Sequence, residues 1–295
     1  AYADALIVRT RTRCDRHLLE GSRVEFVATA TIGIDHLDTE WLDEAGIHWV
    51  NCPGCNASSV GQYVETSLMR LGITSGAVVG IVGCGHVGKE VEIVCERLGL
   101  KTIINDPYID DHSYVSLEEV VKHADVITFH VPLTYKGEYP TYKMADRRFF
   151  DMLSDRERPL ECIINTCRGG VIDEQALLDA MDAGIVKRAV IDTWENEPDI
   201  NRRLLERADI ATPHIAGYSA DGKVKADNMV IDALCSHFGL ESPGMINPPA
   251  LPPYYIYKGS ALDLYDPLID TRRLKSHPET FEEQRGNYPL RREHI

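Results

Sequence analysis

The chain has 295 residues, 44% of them hydrophobic and 26% charged, which suits two globular domains with an appendage and excludes a disordered or collagen-like polymer. Acids outnumber Lys and Arg 46 to 31, and the resulting charge of −15 argues against a nucleic acid or an anionic membrane as partner, while leaving room for a small anion held by a few local cations. No apolar run approaches the roughly 18 residues of a membrane helix, the stretch at 5–8 is too short for a signal peptide, and eight dispersed cysteines are too few for a disulfide scaffold, so a reduced cytoplasmic setting is expected.

Apolar runs rich in β-branched residues predict strands at 5–9, 26–30, 49–51, 78–82, 102–105, 126–129, 162–165, 189–192 and 210–212. Helical patterns fall between them at 39–45, 58–70, 87–98, 116–123, 145–153 and 174–183, with a last long one at 221–238. Ser58 or Ser59 is placed to cap the second of these. Alternation of strands and helices predicts parallel α/β architecture, and several strands are apolar on both sides, as sheets covered on two faces require. Five prolines within 242–253 mark a linker, and the segment from 254 is polar, with little periodicity. The chain opens directly on a strand, and only 71–76 joins the helix at 58–70 to the next strand. Both features suggest segments absent from the sequence as given.

The strongest local motif is Gly83-Cys-Gly85-His-Val-Gly88, set between a strand and a helix. In such a motif Gly83 allows a tight turn, Gly85 lets the backbone approach a pyrophosphate, and Gly88 lets helix and strand pack closely. The helix N-terminus then offers free N–H groups to phosphate. A second strand ends in Asp106, 18 residues past Gly88, close to the ~20 expected of the acid that binds ribose hydroxyls. A carboxylate there repels a 2′-phosphate, so NAD is favoured over NADP. The bland reading, a glycine turn in some other α/β protein, is disfavoured by the full strand–turn–helix–strand context.

Hydride transfer from a 2-hydroxy acid needs a base for the hydroxyl proton and a cation for the carboxylate. Arg168, the acids Asp192, Glu195 and Glu197, and His214 follow three consecutive strands in turn, at the carboxyl ends where open α/β sheets bind ligands. A lone Arg, Glu or His would more often be structural. All three behind a dinucleotide fingerprint reverse those odds.

Arg168-Gly-Gly-Val-Ile-Asp173, Glu197-Pro198 and Pro213-His214-Ile-Ala-Gly217, with their mutual spacing, resemble the signatures of the D-isomer-specific 2-hydroxyacid dehydrogenase family. Segments 28–36, 51–57 and 214–219 are similar to the branch of that family acting on 4-phospho-D-erythronate in vitamin B6 synthesis, and 281–293 resembles that branch's extra C-terminal dimerisation domain. The resemblance implies a Rossmann-type NAD domain at 61–213, a flavodoxin-like substrate domain split between 1–60 and 214–243, and a dimerisation domain at 244–295, in a homodimer. It implies oxidation of 4-phospho-D-erythronate to 2-oxo-3-hydroxy-4-phosphobutanoate with NAD. Arg168 would grip the substrate carboxylate, His214 would take the hydroxyl proton, and Glu197 would orient His214. Gly83, Gly85, His86, Val87, Gly88, Asp106, Thr166, Cys167, Arg168, Asp192 and Gly217 would bind the cofactor, with Asp192 near the nicotinamide carboxamide. Thr10, Thr31 and Tyr218 look like substrate contacts, and Arg9 reads equally as a phosphate ligand or as an exposed arginine at a strand end. Arg285, Arg291 and Arg292 would reach a neighbour's site in the dimer. No metal is implied.

Rival readings remain. Cys52-Pro-Gly-Cys55 matches a redox pair in spacing but lacks thioredoxin-type context. His36, His48, His86, His123 and His130 lack metal spacing and read as surface or packing residues. Another dehydrogenase of the family, such as one acting on 3-phosphoglycerate, is one alternative. An NAD-binding corepressor on the same fold is another, because fold does not decide function.

Overall fold

In the computed structural model, which describes residues 2–73, 75–253 and 255–293, the strands sort into two sheets with every pairing parallel. Strands β1 (Ala5–Val8), β2 (Phe26–Thr29) and β3 (His48–Val50) lie side by side in that order, linked through helices α1 (Arg16–Leu19) and α2 (Thr39–Glu44). Helix α3 (Ala57–Arg70) then carries the chain to the second sheet. There β4 (Val78–Val82), β5 (Lys101–Asn105), β6 (Val126–Phe129), β7 (Cys162–Asn165), β8 (Ala189–Ile191) and β9 (Ile210–Ala211) alternate with α4 (His86–Arg97), α5 (Leu117–His123), α6 (Arg147–Ser154), α7 (Glu174–Asp182) and α8 (Arg202–Arg207). Helix α9 (Ala220–Phe238) returns to pack against β2. The α/β expectation holds, with all nine predicted strands found.

Burial explains why these strands lack polar alternation. Strands β2, β6 and β7 are buried at all four positions, so both faces must be apolar. Sheet order β5-β4-β6-β7-β8-β9 puts β5 and β6 on opposite sides of β4. Connections therefore diverge at the carboxyl end of β4, the topological switch point where such sheets bind ligands, and Gly83 lies there.

Several local expectations need correction. Ser58 and Ser59 do not cap α3: Asn56 holds that position, while Ser58 Oγ donates to Glu293 and Ser59 Oγ to the Ala216 carbonyl. Residues 71–73 leave α3 through a turn in which Gly72, at φ 65°, lets Gly72 N–H reach Met69 O and Ile73 N–H reach Leu68 O. Most of all, the late segment is not a featureless tail. Helices α10 (Ala261–Leu264), α11 (Pro267–Ser276) and α12 (Phe281–Gly286) dock on their own chain, α11 against β9 and α3. Only isolated apolar anchors, Leu274 and Phe281 among them, are fully buried, and buried polar groups such as Asp270 and Arg291 fill the rest. That mixture leaves no apolar period to detect. Among the described residues no helix is long and apolar enough to cross a membrane.

Candidate active site

The glycine loop after β4 meets three different steric demands. Gly83 sits at φ 89°, and a Cβ there would lie 2.6 Å from the His130 carbonyl oxygen. At Gly88 a Cβ would come within 2.2 Å of the Gly83 carbonyl oxygen. Gly85 is the opposite case: its Cβ would project into space with nothing within 4 Å. That open space, at the N-cap of the 12-residue helix α4, is where a pyrophosphate fits against the unpaired helix N–H groups. Asp106 completes the cradle, its Oδ2 accepting from Cys84 N–H at 2.8 Å. His86 abuts Gly54 in the segment leading into α3, where a Cβ would lie 2.6 Å from the imidazole ring. Gly85→Ala is therefore expected to leave the melting temperature unchanged while weakening NAD binding at least about tenfold, because the methyl group displaces only ligand. Titration calorimetry beside a thermal melt checks this, and an unchanged affinity would contradict the placement.

Past β7, Thr166 Oγ1 is 3.4 Å from His130 Nδ1, and His130 Nε2 is 2.9 Å from Thr128 Oγ1. Burial pushes the His130 pKa down to about 3, so this imidazole is neutral and serves as packing. Cys167 is buried, with its Sγ 3.1 Å and its backbone nitrogen 3.2 Å from Asn165 Oδ1 and its carbonyl accepting from Arg168 Nη1 at 2.8 Å, so its polar groups are engaged within the chain. Arg168 reaches across the cleft. Its Nη2 lies so near Gly33 that a Cβ there would be 2.5 Å away, and it is 3.7 Å from Asp35 Oδ2. Thr31 lies on the same facing loop, its Oγ1 donating to Gly33 O at 2.9 Å.

Glu197 and His214 form the pair that the sequence anticipates. His214 Nδ1 lies 2.9 Å from Glu197 Oε2 and 3.1 Å from Oε1. Burial raises the Glu197 pKa, but the His214 hydrogen bond and charge, the Trp194 N–H and the Arg285 charge outweigh it and hold the carboxyl below the usual range. An ionised carboxylate only accepts, so Nδ1 carries the hydrogen and Nε2 is left as the basic nitrogen. Backbone at φ 55° presents His214, an uncommon conformation for a residue other than glycine.

Asp192 explains how that loop is held. Its Oδ1 accepts from Thr212 Oγ1 at 2.6 Å and Ile215 N–H at 2.8 Å, and its Oδ2 from Ala216 N–H at 3.0 Å. Both oxygens are thus engaged within the chain, flanking His214 on either side. Two hydroxyls extend the network, because Tyr63 Oη is 2.7 Å from Thr212 Oγ1. Gly217 lies against Asn56, a contact that no sequence signal marked. Close fit recurs at Gly169, where a Cβ would be 1.8 Å from the Trp194 carbonyl oxygen, locking the Arg168 and Glu197 loops together.

Tyr218 is half-buried, and its hydroxyl accepts from Arg285 Nε at 3.1 Å. Arg285 Nη1 is 4.0 Å from Glu197 Oε2, so this arginine enters its own chain's site. Arg291 and Arg292 are likewise engaged internally. Arg291 bonds Gln62, Ser59, Ile215 and Ala216, and Arg292 bonds Asp221 and Pro249. The expectation that these three reach a neighbour is corrected accordingly. Thr10 and Arg9 are exposed on the turn after β1. Cys52 and Cys55 are buried free thiols whose pKa values burial pushes up to about 12 and about 11, against a redox role.

Residues 57–216 match the family model described as "D-isomer specific 2-hydroxyacid dehydrogenase, NAD binding domain". The chain is 49% identical over 304 aligned residues to the erythronate-4-phosphate dehydrogenase of Bacteroides thetaiotaomicron, covering 99% of this chain and 86% of that protein. It is 43% identical to the protein of the same name from Porphyromonas gingivalis, covering 99% and 84%. Among solved structures, an NAD+-bound 3-phosphoglycerate dehydrogenase of Entamoeba histolytica superposes with TM-score 0.66 at 26% identity, over 83% of this chain and 82% of that one. A D-mandelate dehydrogenase of Rhodotorula graminis shares the fold with TM-score 0.71 at 22% identity, over 84% and 86%.

Proposed function

Because the chain belongs to the D-isomer-specific 2-hydroxyacid dehydrogenase family, NAD-dependent oxidoreductases acting on CH–OH donors, we propose that it oxidises 4-phospho-D-erythronate to 2-oxo-3-hydroxy-4-phosphobutanoate, a step of vitamin B6 synthesis. The His214–Glu197 pair, facing a cleft that Arg168 crosses, is the observation that carries the reaction class. Relatives named for this substrate across nearly the whole chain carry the choice of acid.

In this reading the substrate carboxylate docks on the planar Arg168 fork, which also polarises the C2 oxygen. His214 Nε2 accepts the C2 hydroxyl proton, and the ionised Glu197 stabilises the imidazolium so formed. Bound NAD+ supplies the hydride acceptor. Asp106 faces the ribose, the Gly83–Gly88 loop the pyrophosphate, and Asp192 acts by holding the His214 loop. Thr10, Thr31 and Tyr218 contact the rest of the acid. The lobes divide as 1–60 with 214–243, and 61–213.

A homodimer is part of the proposal. Leu240, Met245 and Ile256, exposed along the linker after α9, offer an apolar surface for it. A reducing cytoplasmic setting is supported by eight buried free thiols.

The test is single-turnover NADH formation on 4-phospho-D-erythronate and 3-phospho-D-glycerate side by side. Strong preference for the four-carbon acid is expected. Preference for the three-carbon acid would keep the reaction class and overturn the substrate. Activity on neither, with NAD bound, would favour a nucleotide-binding protein.

A further inference from the structure

We propose that Lys223 and Arg285, seated against the Tyr218 ring, form the site that binds the terminal phosphate of the substrate, and that Arg9 and Arg11 on the turn after β1 close it. This rests on the substrate reading above and deepens it.

Position is the first argument. Tyr218 follows His214 by one short turn, and its ring lies 5.1 Å from the Lys223 ammonium and 5.8 Å from the Arg285 guanidinium carbon. Arg285 also approaches Glu197, the partner of His214, so the cluster is one side chain away from the base. In a four-carbon acid phosphorylated at C4, an extended C2–C3–C4–O–P path spans only about 5 Å, at about 1.5 Å per bond. A phosphate anchor must therefore lie beside the base, as this one does.

Charge is the second. The chain carries −15, yet four cations gather here. Arg11 presses so close to Gly286 that a Cβ there would lie 2.7 Å from its Nη2, which brings the turn after β1 against α12. Arg9 pairs with Asp227 at 3.7 Å, and Arg285 with Glu282 at 3.6 Å at the rim. Lys223 is half-buried on the first turn of α9, and burial followed by the Arg9 charge pushes its pKa down. A phosphate dianion would relieve both effects, and mixed Arg and Lys donors suit it.

The full chain carries the test, as initial rates of NAD reduction on 4-phospho-D-erythronate and on unphosphorylated D-erythronate, with Lys223→Met, Arg285→Met and Arg285→Lys. For the phosphorylated acid kcat/KM should fall about 10–100-fold in each Met variant, the effect of losing one charge-assisted hydrogen bond, mainly through KM. The ratio between the two acids should collapse with it. Arg285→Lys should recover part of that ratio, and a remote Lys122→Met should keep all of it. Inorganic phosphate should inhibit the wild type competitively and lose potency in the Met variants. A wild type that prefers the phosphorylated acid, with Met variants that prefer it equally, would overturn this inference alone. A wild type without preference would overturn the substrate reading and this inference with it.

Discussion

Replacing His214 with Ala is expected to lower kcat by roughly 10²–10⁴-fold while NAD binding persists, the loss typical of removing a general base. Geometry sharpens this expectation. Nδ1 is committed to Glu197, so no nitrogen but Nε2 is free to take the proton, and Ala leaves Glu197 without the partner that offsets its burial. Backbone at φ 55° adds a complication, because Ala in the left-handed region costs about 1 kcal/mol. Asn tolerates that conformation better, so His214→Asn separates loss of the base from strain in the loop. Both variants should bind NAD in titration and melt as cooperative domains. Turnover unchanged in His214→Asn would remove His214 from the reaction.

For Arg168→Lys, a fall in kcat/KM of about 10–100-fold is expected, with both KM and kcat affected, since two parallel charge-assisted hydrogen bonds become one point contact. The facing loop supports this. Gly33 leaves room for a broad guanidinium tip, and any side chain there would collide with it. A lysine ammonium in that space is compact and cannot span both oxygens of a carboxylate. Steady-state kinetics on the Lys and Met variants separate charge from geometry: if only charge matters, Lys should equal the wild type and Met alone should fail.

Much of this was legible because the relevant signals are local. The glycine loop needs particular residues at fixed offsets, and the structure gives each a separate steric reason. Strands buried on both faces announce themselves as uninterrupted apolar runs, and all nine were found. Arg168, Glu197 and His214 were legible as charged residues just past strand ends. What stayed hidden depends on distant partners. Asp192 is marked by its position, but only the fold shows both its oxygens gripping the 212–216 loop. Asn56 against Gly217 leaves no pattern in either segment. Helix α11 carries an Asp270–Tyr288 hydrogen bond beside the apolar anchor Leu274, α12 is anchored by Phe281, and an Arg291–Gln62 hydrogen bond holds the segment after α12, so no apolar stripe was there for periodicity to disclose.

The contacts of residues 291–293 with α3 and the His214 loop bear on how the molecule assembles. Ser58 meets Glu293 across 235 residues and Gln62 meets Arg291 across 229, among the longest chain closures this sequence can make. Such closures cost the most loop entropy and slow the search. The nucleotide lobe, built from neighbouring strand–helix units, can form while these remain open. Folding is thus hierarchical, with the cleft as its final product. After dilution from denaturant, dehydrogenase activity should lag behind recovery of the helical signal, and a nascent chain should become an enzyme only once residues 291–293 have emerged.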